Sequence, residues 1–440
     1  MQKPLIALLM SSAFLTLNAQ AADLIQVYQQ ALANDATYAS ARAALAAGQE
    51  RITQGRSLLL PVIGLSGSST KTDGDFTMSD PSNPFATPSG SRDNNRNQYA
   101  LQLSQPLFRW ANWQQYQQSK LTQASAEATF AQNQQDLILR VSQAYFDVLT
   151  AQDNLTSTQA QKSATTEQLA SAKRNFEVGT QTITDTHEAQ AAYDLVVAQE
   201  FAAINDLEVK RTALQQIIGQ SPGALAPLRT GVTIAAPQPA AIEPWVASAE
   251  QQNYAVVGAE LNVEIAKRDI QRNRAGHYPT VDLVASKGRD SITGSGVTKA
   301  GAIGVQWNVP LFNGFAVTSK VRESIALEDK ARNDLEATRR AAAQSARQAY
   351  LGMNSGLAQV RALEAAEVSS KSALDSNKLG YQVGVRINID VLNAQRQLYS
   401  TQRDLSRARY DTIMNGLRLK SAAGSLKEAD LVPVNALLVQ

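Results

Sequence analysis

The chain has 440 residues, with 41 Lys and Arg against 39 Asp and Glu, and this near-neutral balance excludes the basic excess by which nucleic-acid binders hold phosphate. Cysteine is absent, which excludes disulfides, thiolate metal sites, thiol catalysis and an acylated N-terminal cysteine; two histidines, His187 and His277, leave no multi-histidine metal centre. Charged residues are only 18%, below the roughly 25% of average soluble proteins, in a composition that suits close-packed helices or polar-lined barrel strands better than an enzyme core.

Residues 1–21 read as a cleaved signal peptide. Lys3 precedes an apolar run from Leu5 to Leu17, and Ala19-Gln20-Ala21 gives an A-x-A cleavage pattern. A membrane anchor is the competing reading, but the run falls short of the roughly 20 residues a spanning helix needs. No later stretch is long and apolar. The expected product is an exported protein starting near Ala22, periplasmic or in the outer membrane.

Ala22 to Leu58 is proline-free and predicts a helix that Pro61 stops. Strands are predicted over Val62 to Phe76 and Gln98 to Pro106, with a Gly-, Ser- and Asn-rich loop from Thr77 to Arg96. In the second of these strands Tyr99, Leu101 and Leu103 alternate with polar residues, which predicts one apolar and one polar face. From Leu107 to Ser221 there is no proline. A helix from about Ala111 to Val178 would be roughly 100 Å long at 1.5 Å per residue, and its apolar spacing is that of a coiled coil. Gly179 marks a turn, and a second helix runs to Gly219.

The same succession then repeats. Ser57 to Val62 matches Ala275 to Thr280, and Gln105-Pro106-Leu107-Phe108 matches Val309-Pro310-Leu311-Phe312. Phe176-Glu177-Val178-Gly179-Thr180 matches Tyr381-Gln382-Val383-Gly384-Val385 at an offset of 205, which also relates Asp185 to Asp390 and Gly219 to Gly424. The predicted organisation is a first repeat over 22–219, a proline-rich linker over 220–243, a second repeat over 244–424 and a tail over 425–440 with no readable role. Within the second repeat the helix is Trp245 to Gly276 and the strands are Val281 to Ile292 and Ile303 to Val309, joined by a loop from Thr293 to Lys299. A soluble helical bundle explains the helices equally well, but not the strands.

Phe108, Trp110, Trp113, Tyr278, Phe312 and Phe315 gather at one end of the strands. They read as an aromatic belt at a membrane interface, against ordinary strand-end core aromatics. Four strands cannot close a barrel, and lipid does not tolerate open sheet edges. Several chains must then share one barrel. Three would give twelve strands, while backbone pairing alone requires only that the barrel close.

Tyr381 to Ala394, reading YQVGVRINIDVLNA, and Asn415 to Leu426, reading NGLRLKSAAGSL, resemble signatures of the TolC family of outer-membrane exit ducts. The resemblance covers the whole mature chain. It implies an α+β membrane protein: a homotrimeric twelve-stranded outer-membrane β-barrel, four strands per chain, continuous with a periplasmic α-helical coiled-coil barrel. It implies a passive duct for efflux or type I secretion, working with a periplasmic adaptor and an inner-membrane pump, ABC-type or proton-driven, in contact with outer-membrane lipid and not with nucleic acid. It also implies site roles. Tyr381 and Arg386 are expected to form gate links to Thr184 and Asp185. Asp390, with Asn393 three residues on, is expected at the pore constriction; Asn393 stands where a second aspartate belongs to the family's pattern. Val178, Gly179, Thr180, Val383, Gly384 and Val385 are the expected adaptor-docking tips. No catalytic residue, metal or cofactor is expected, since neither G-x-S-x-G nor a P-loop occurs. The alternative is a periplasmic coiled-coil adaptor without a pore, which predicts an all-β lipoyl-like module in place of the aromatic-flanked strands.

Overall fold

The computed structural model describes residues 21–77, 89–294 and 296–439. Of the signal-peptide expectation only Ala21 lies within them, and positions 78–88 of the first strand loop also lie outside. Nine α-helices and four strands are present among the described residues: α1 Leu24–Asn34, α2 Ala36–Ser57, β1 Val62–Thr77, β2 Ser89–Phe108, α3 Trp110–Glu177, α4 Ile183–Ile218, α5 Glu243–Gln252, α6 Tyr254–Arg274, β3 Thr280–Ile292, β4 Gly296–Asn308, α7 Ala316–Gln382, α8 Asn388–Ala422 and α9 Leu431–Asn435. The order helix, helix, strand, strand, long helix, helix occurs twice.

The sequence predicts one helix before each strand pair; each is in fact two. Asp35 ends α1 in an extended conformation, and its carboxylate accepts the Tyr38 N–H at 2.6 Å, so it caps α2. Such a side chain offers the backbone an alternative to continuing the helix. Asn253, also extended, divides α5 from α6 at the matching place and donates to the Ala422 carbonyl at 3.0 Å. β2 also starts earlier than expected. Residues 89–96 were expected in a loop, but they pair one for one with Thr70 to Thr77. Their polar composition hid the strand, because period two is invisible when both faces are polar. β4 likewise begins at Gly296, inside the expected second loop.

The chain forms two compact units. One comprises the described residues of Met1–Ala41, Gln132–Asn253 and Ala341–Gln440 and is helical, with an apolar core. Tyr145, Leu137, Val141, Leu24 and Leu214 are fully enclosed there, with Phe146 against Tyr145 edge-on at 5.6 Å and against Tyr410 at 5.5 Å. The polar ends of these rings are satisfied: Tyr145 donates to the Ala226 carbonyl at 2.8 Å, and Tyr410 donates to Asp153 at 2.9 Å. Burial, and for Tyr410 the Asp153 carboxylate beside it, raises both phenol pKa values well above the ordinary range. Val391, Leu398, Leu405 and Leu419, which share one heptad position of α8, are all buried.

The tail now has a place. Asn435 accepts the Leu24 N–H at 3.0 Å and donates to Asp23 at 3.0 Å, while Arg229 donates to the Leu438 carbonyl at 3.0 Å. Residues near the two ends of the described chain thus hold one another.

The other unit comprises Arg42–Ala131 and Tyr254–Arg340. It carries one antiparallel sheet in the order β1-β2-β3-β4, so β1 and β4 are its edges. Register shifts at Pro106/Phe108, where β2 meets β3; proline has no N–H to give the ladder.

Candidate functional site

Three places carry the residues singled out from sequence: the faces of the sheet, its aromatic end, and the two helical turns.

The sheet is apolar on the outside. Register aligns Ile63 with Leu103 and Leu65 with Leu101, and on the far side Leu283 with Val305 and Val281 with Trp307. Leu65, Ile303 and Trp307 are more than 70% exposed, which would be costly in water and is expected in lipid. The opposite face carries Ser66, Gln102, Ser104, Asp282, Gln306 and Asn308. Its charges are paired there: Arg96 grips Asp290 at 2.6 Å, and Arg109 grips Asp282 through two bonds at 2.7 and 2.8 Å.

All six belt aromatics are exposed. They lie on or beside the ends of β2, β3 and β4. Phe312 and Phe315 meet edge-on at 5.5 Å, and Phe315 holds a positive φ of 63°, the one such non-glycine residue described. A bulky residue in the left-handed region costs free energy. Trp307 and Leu311 share the exposure and are not among the six aromatics singled out from sequence.

The turns after α3 and α7 are closed alike. Gly179 and Gly384 adopt φ of 76° and 79°, the left-handed conformation that ends helices without strain in glycine. Thr180 N–H returns to the Asn175 carbonyl at 2.9 Å, and Val385 N–H to the Gly380 carbonyl at 2.8 Å. Val178, Val383 and Val385 project with 65–78% exposure.

Within one chain the polar residues beside the turns make local contacts. Asp185 serves α4 as a capping box: it accepts the Thr182 N–H at 3.1 Å and hydroxyl at 2.8 Å. Arg386 lies 3.7 Å from Asp390, one helical turn on. Thr184 is exposed, and the Tyr381 hydroxyl is enclosed without a hydrogen-bond partner. Within the chain, no hydrogen bond among the described residues joins Tyr381 or Arg386 to Thr184 or Asp185. Asn393 accepts from Arg396.

The bond that does cross between helices belongs to Asn388, a residue sequence reasoning did not single out. It is fully buried, accepts from Gln168 of α3 at 2.5 Å and donates to the Asp185 carbonyl of α4 at 3.1 Å. The signal was available: an asparagine opening a helix just after a glycine turn is either a cap or a partner for another chain segment. Gly380 was missed too. A Cβ there would lie 2.7 Å from Cγ of Arg386, so the arginine packs along a strip that only glycine leaves open.

No group of three or more His, Asp or Glu able to hold a metal occurs among the described residues. Likewise no described helix is long and apolar enough to cross a membrane.

The pattern of the outer membrane efflux protein family matches residues 27–220 and 245–425. The chain belongs to this family. The outer membrane protein TolC of Vibrio cholerae is 35% identical, over 99% of this chain and 98% of its own length. The proteases secretion protein PrtF of Dickeya chrysanthemi is 32% identical, over 95% of this chain and 92% of its own. Among solved structures, the outer membrane protein VceC from Vibrio cholerae shares the fold with a TM-score of 0.77 at 20% identity, covering 92% of this chain and 96% of that one. Membership in the outer membrane efflux protein family makes this chain an outer-membrane channel protein of the TolC kind, a transporter, and sets aside the pore-less adaptor.

Proposed function

We propose that the chain is the exit duct of a tripartite export system, and that three copies build it. The single observation that carries this is the sheet: four strands, apolar and exposed on one face, polar on the other, with β1 and β4 left as edges. In lipid every backbone N–H and C=O must be paired, so the edges have to close on other copies. Three copies give about twelve strands, within the range of known membrane barrels. The efflux family and the protease-secretion relative together favour a general duct for small molecules or unfolded proteins.

The gate is proposed at the helical turns. Tyr381, with its enclosed hydroxyl unbonded, and Arg386, tied only by an ion pair of 3.7 Å, keep hydrogen-bonding capacity for a neighbouring copy's Thr184 and Asp185. Asp390 of each copy would face the others as a carboxylate ring that favours cations. The exposed valines at the turns suit a periplasmic adaptor, and an inner-membrane pump would deliver cargo. Cleavage after Ala21 would release the mature chain into the periplasm.

The test uses the chain's lack of cysteine. Gly64 on β1 and Gly304 on β4 have open space where a Cβ would go. Paired cysteines along these two edges, oxidised in membranes, are expected to give a covalent ladder that ends at the trimer. A ladder ending elsewhere sets aside three copies; bonds within single chains only set aside the shared barrel. Planar-bilayer recording then asks about the gate: multivalent cations added from the periplasmic side should block conductance in the wild type and not in Asp390→Asn.

A further inference from the structure

The outward face of the sheet changes character along the strands. Near the aromatic end it is apolar. Farther along, the same face carries Lys287 and Arg289 of β3 and Lys299 of β4. Register makes this explicit: Leu101 opposes Lys287, Tyr99 opposes Arg289, and Arg289 opposes Lys299. The three cations line a concavity of about 360 Å³ with Leu65, Tyr99 and Leu101.

Two features set this cluster apart from ordinary surface charge. First, all three side chains are exposed, and none makes an ion pair or hydrogen bond among the described residues. The β3 carboxylates Asp282 and Asp290 occupy the opposite face and are already taken by Arg109 and Arg96. Like charges directly opposed across two strands repel, so an anion between Arg289 and Lys299 would relieve that repulsion. Second, the height is right for a headgroup. From Trp307 to Lys299 β4 runs eight residues, about 27 Å at 3.4 Å per residue. At a barrel tilt near 40° that is a rise of roughly 21 Å, close to the ~25 Å apolar band of outer-membrane barrels. Aromatics mark one boundary of the band, and these cations mark the other.

We propose that Lys287, Arg289 and Lys299 bind the phosphate-bearing headgroup of an outer-leaflet lipid, whose acyl chains lie along Leu65, Leu101 and Ile303. Arginine supplies a forked donor to phosphate oxygens, and the lysines supply point charges. The site rests on the reading of the sheet as a membrane barrel. It would give the protein a bound lipid at the place where its barrel meets the outer surface.

The test is native mass spectrometry of the full-length protein in detergent, titrated with a bisphosphorylated glycolipid and with the same glycolipid stripped of phosphate. The wild type is expected to retain the phosphorylated form selectively. K287Q/R289Q/K299Q should weaken it roughly a hundredfold, and K287Q or K299Q alone about fivefold. K287R/K299R and a charge control on α7, K330Q, should retain it. Equal retention by wild type and triple variant, or of both glycolipids, overturns the site. Single-channel recording of each variant separates the two readings: wild-type conductance with no lipid selectivity removes the lipid site and leaves the duct, whereas absent conductance in the wild type removes the duct. If the triple variant does not insert, the single variants decide.

Discussion

The helical unit and the sheet solve opposite burial problems with similar amino acids. Around Tyr145, Phe146 and Tyr410 the helices enclose their large side chains almost completely and bond each phenol to a carbonyl or carboxylate. In the sheet Leu65, Ile303 and Trp307 stand exposed, and the ion pairs of Arg96 and Arg109 lie on the other face. Hydrophobicity alone therefore does not say what is core. The solvent beside each element decides, and for the sheet that solvent is lipid. The turn region is a third case: small apolar clusters around Leu169 and Leu392 and around Leu374 and Val391 pack beside one buried amide, Asn388, and one loose ion pair, Arg386 with Asp390.

That contrast can be broken from its strongest side first. Phe146→Ala should cost about 3–5 kcal/mol, since it empties the space between two rings; thermal unfolding of the helical unit, followed by circular dichroism, checks it. Ile303→Arg should cost about 2–4 kcal/mol of barrel stability in bilayers while leaving the helical unit's unfolding unchanged. A loss of the same size in the helical transition would mean that Ile303 supports a protein core after all.

At the turns, Asn388→Ala leaves the Gln168 amide and the Asp185 carbonyl without their partner. The expected loss is about 1–3 kcal/mol, seen as faster hydrogen exchange at the start of α8 and as longer open times in bilayers. A smaller effect is expected in acid. Burial raises the Asp35 carboxyl, but the Arg140 fork and the backbone N–H groups of Tyr38 and Thr37 outweigh it and hold its pKa below the usual carboxylate range. A depressed native pKa stabilises the fold above the unfolded value of about 4 and loses that contribution as pH falls below it. Asp35→Asn should therefore lower stability at neutral pH and flatten the acid limb of the stability profile. The smallest effect belongs to Arg386→Ala: its ion pair with Asp390 is exposed and should contribute at most about 1 kcal/mol to folding. A clear rise in open probability without that stability loss would separate a gating role from a structural one.

Much of this was legible in the chain. Proline punctuation, the glycine turns at 179 and 384, the 205-residue offset and the alternation at 99–103 are local signals, so they placed the long helices, the turns and the central parts of the strands. The extension of β2 over 89–96 was not legible, because both faces there are polar and only pairing with β1 makes it a strand. Asp35 and Asn253 read as interior helix residues, because the cap that Asp35 gives α2 and the bond from Asn253 to the Ala422 carbonyl are set by the fold. The tail had no reading, since Asn435 acquires its role only beside Asp23 and Leu24, some 411 residues away in the chain.

The sequence by itself determined the repeated element order, the membrane-facing chemistry of the strands and the family. Those depend on period, spacing and composition, which are carried by neighbours in the chain. Only the tertiary structure decided that Asn388 is the buried link at the turns, that within one chain Asp185 caps α4 and Arg386 pairs loosely with Asp390, and that three cations unpaired among the described residues share one face beyond the apolar band. Such facts depend on which residues distant in sequence meet, because a hydrogen bond or an unanswered charge is defined by its surroundings rather than by its position in the chain.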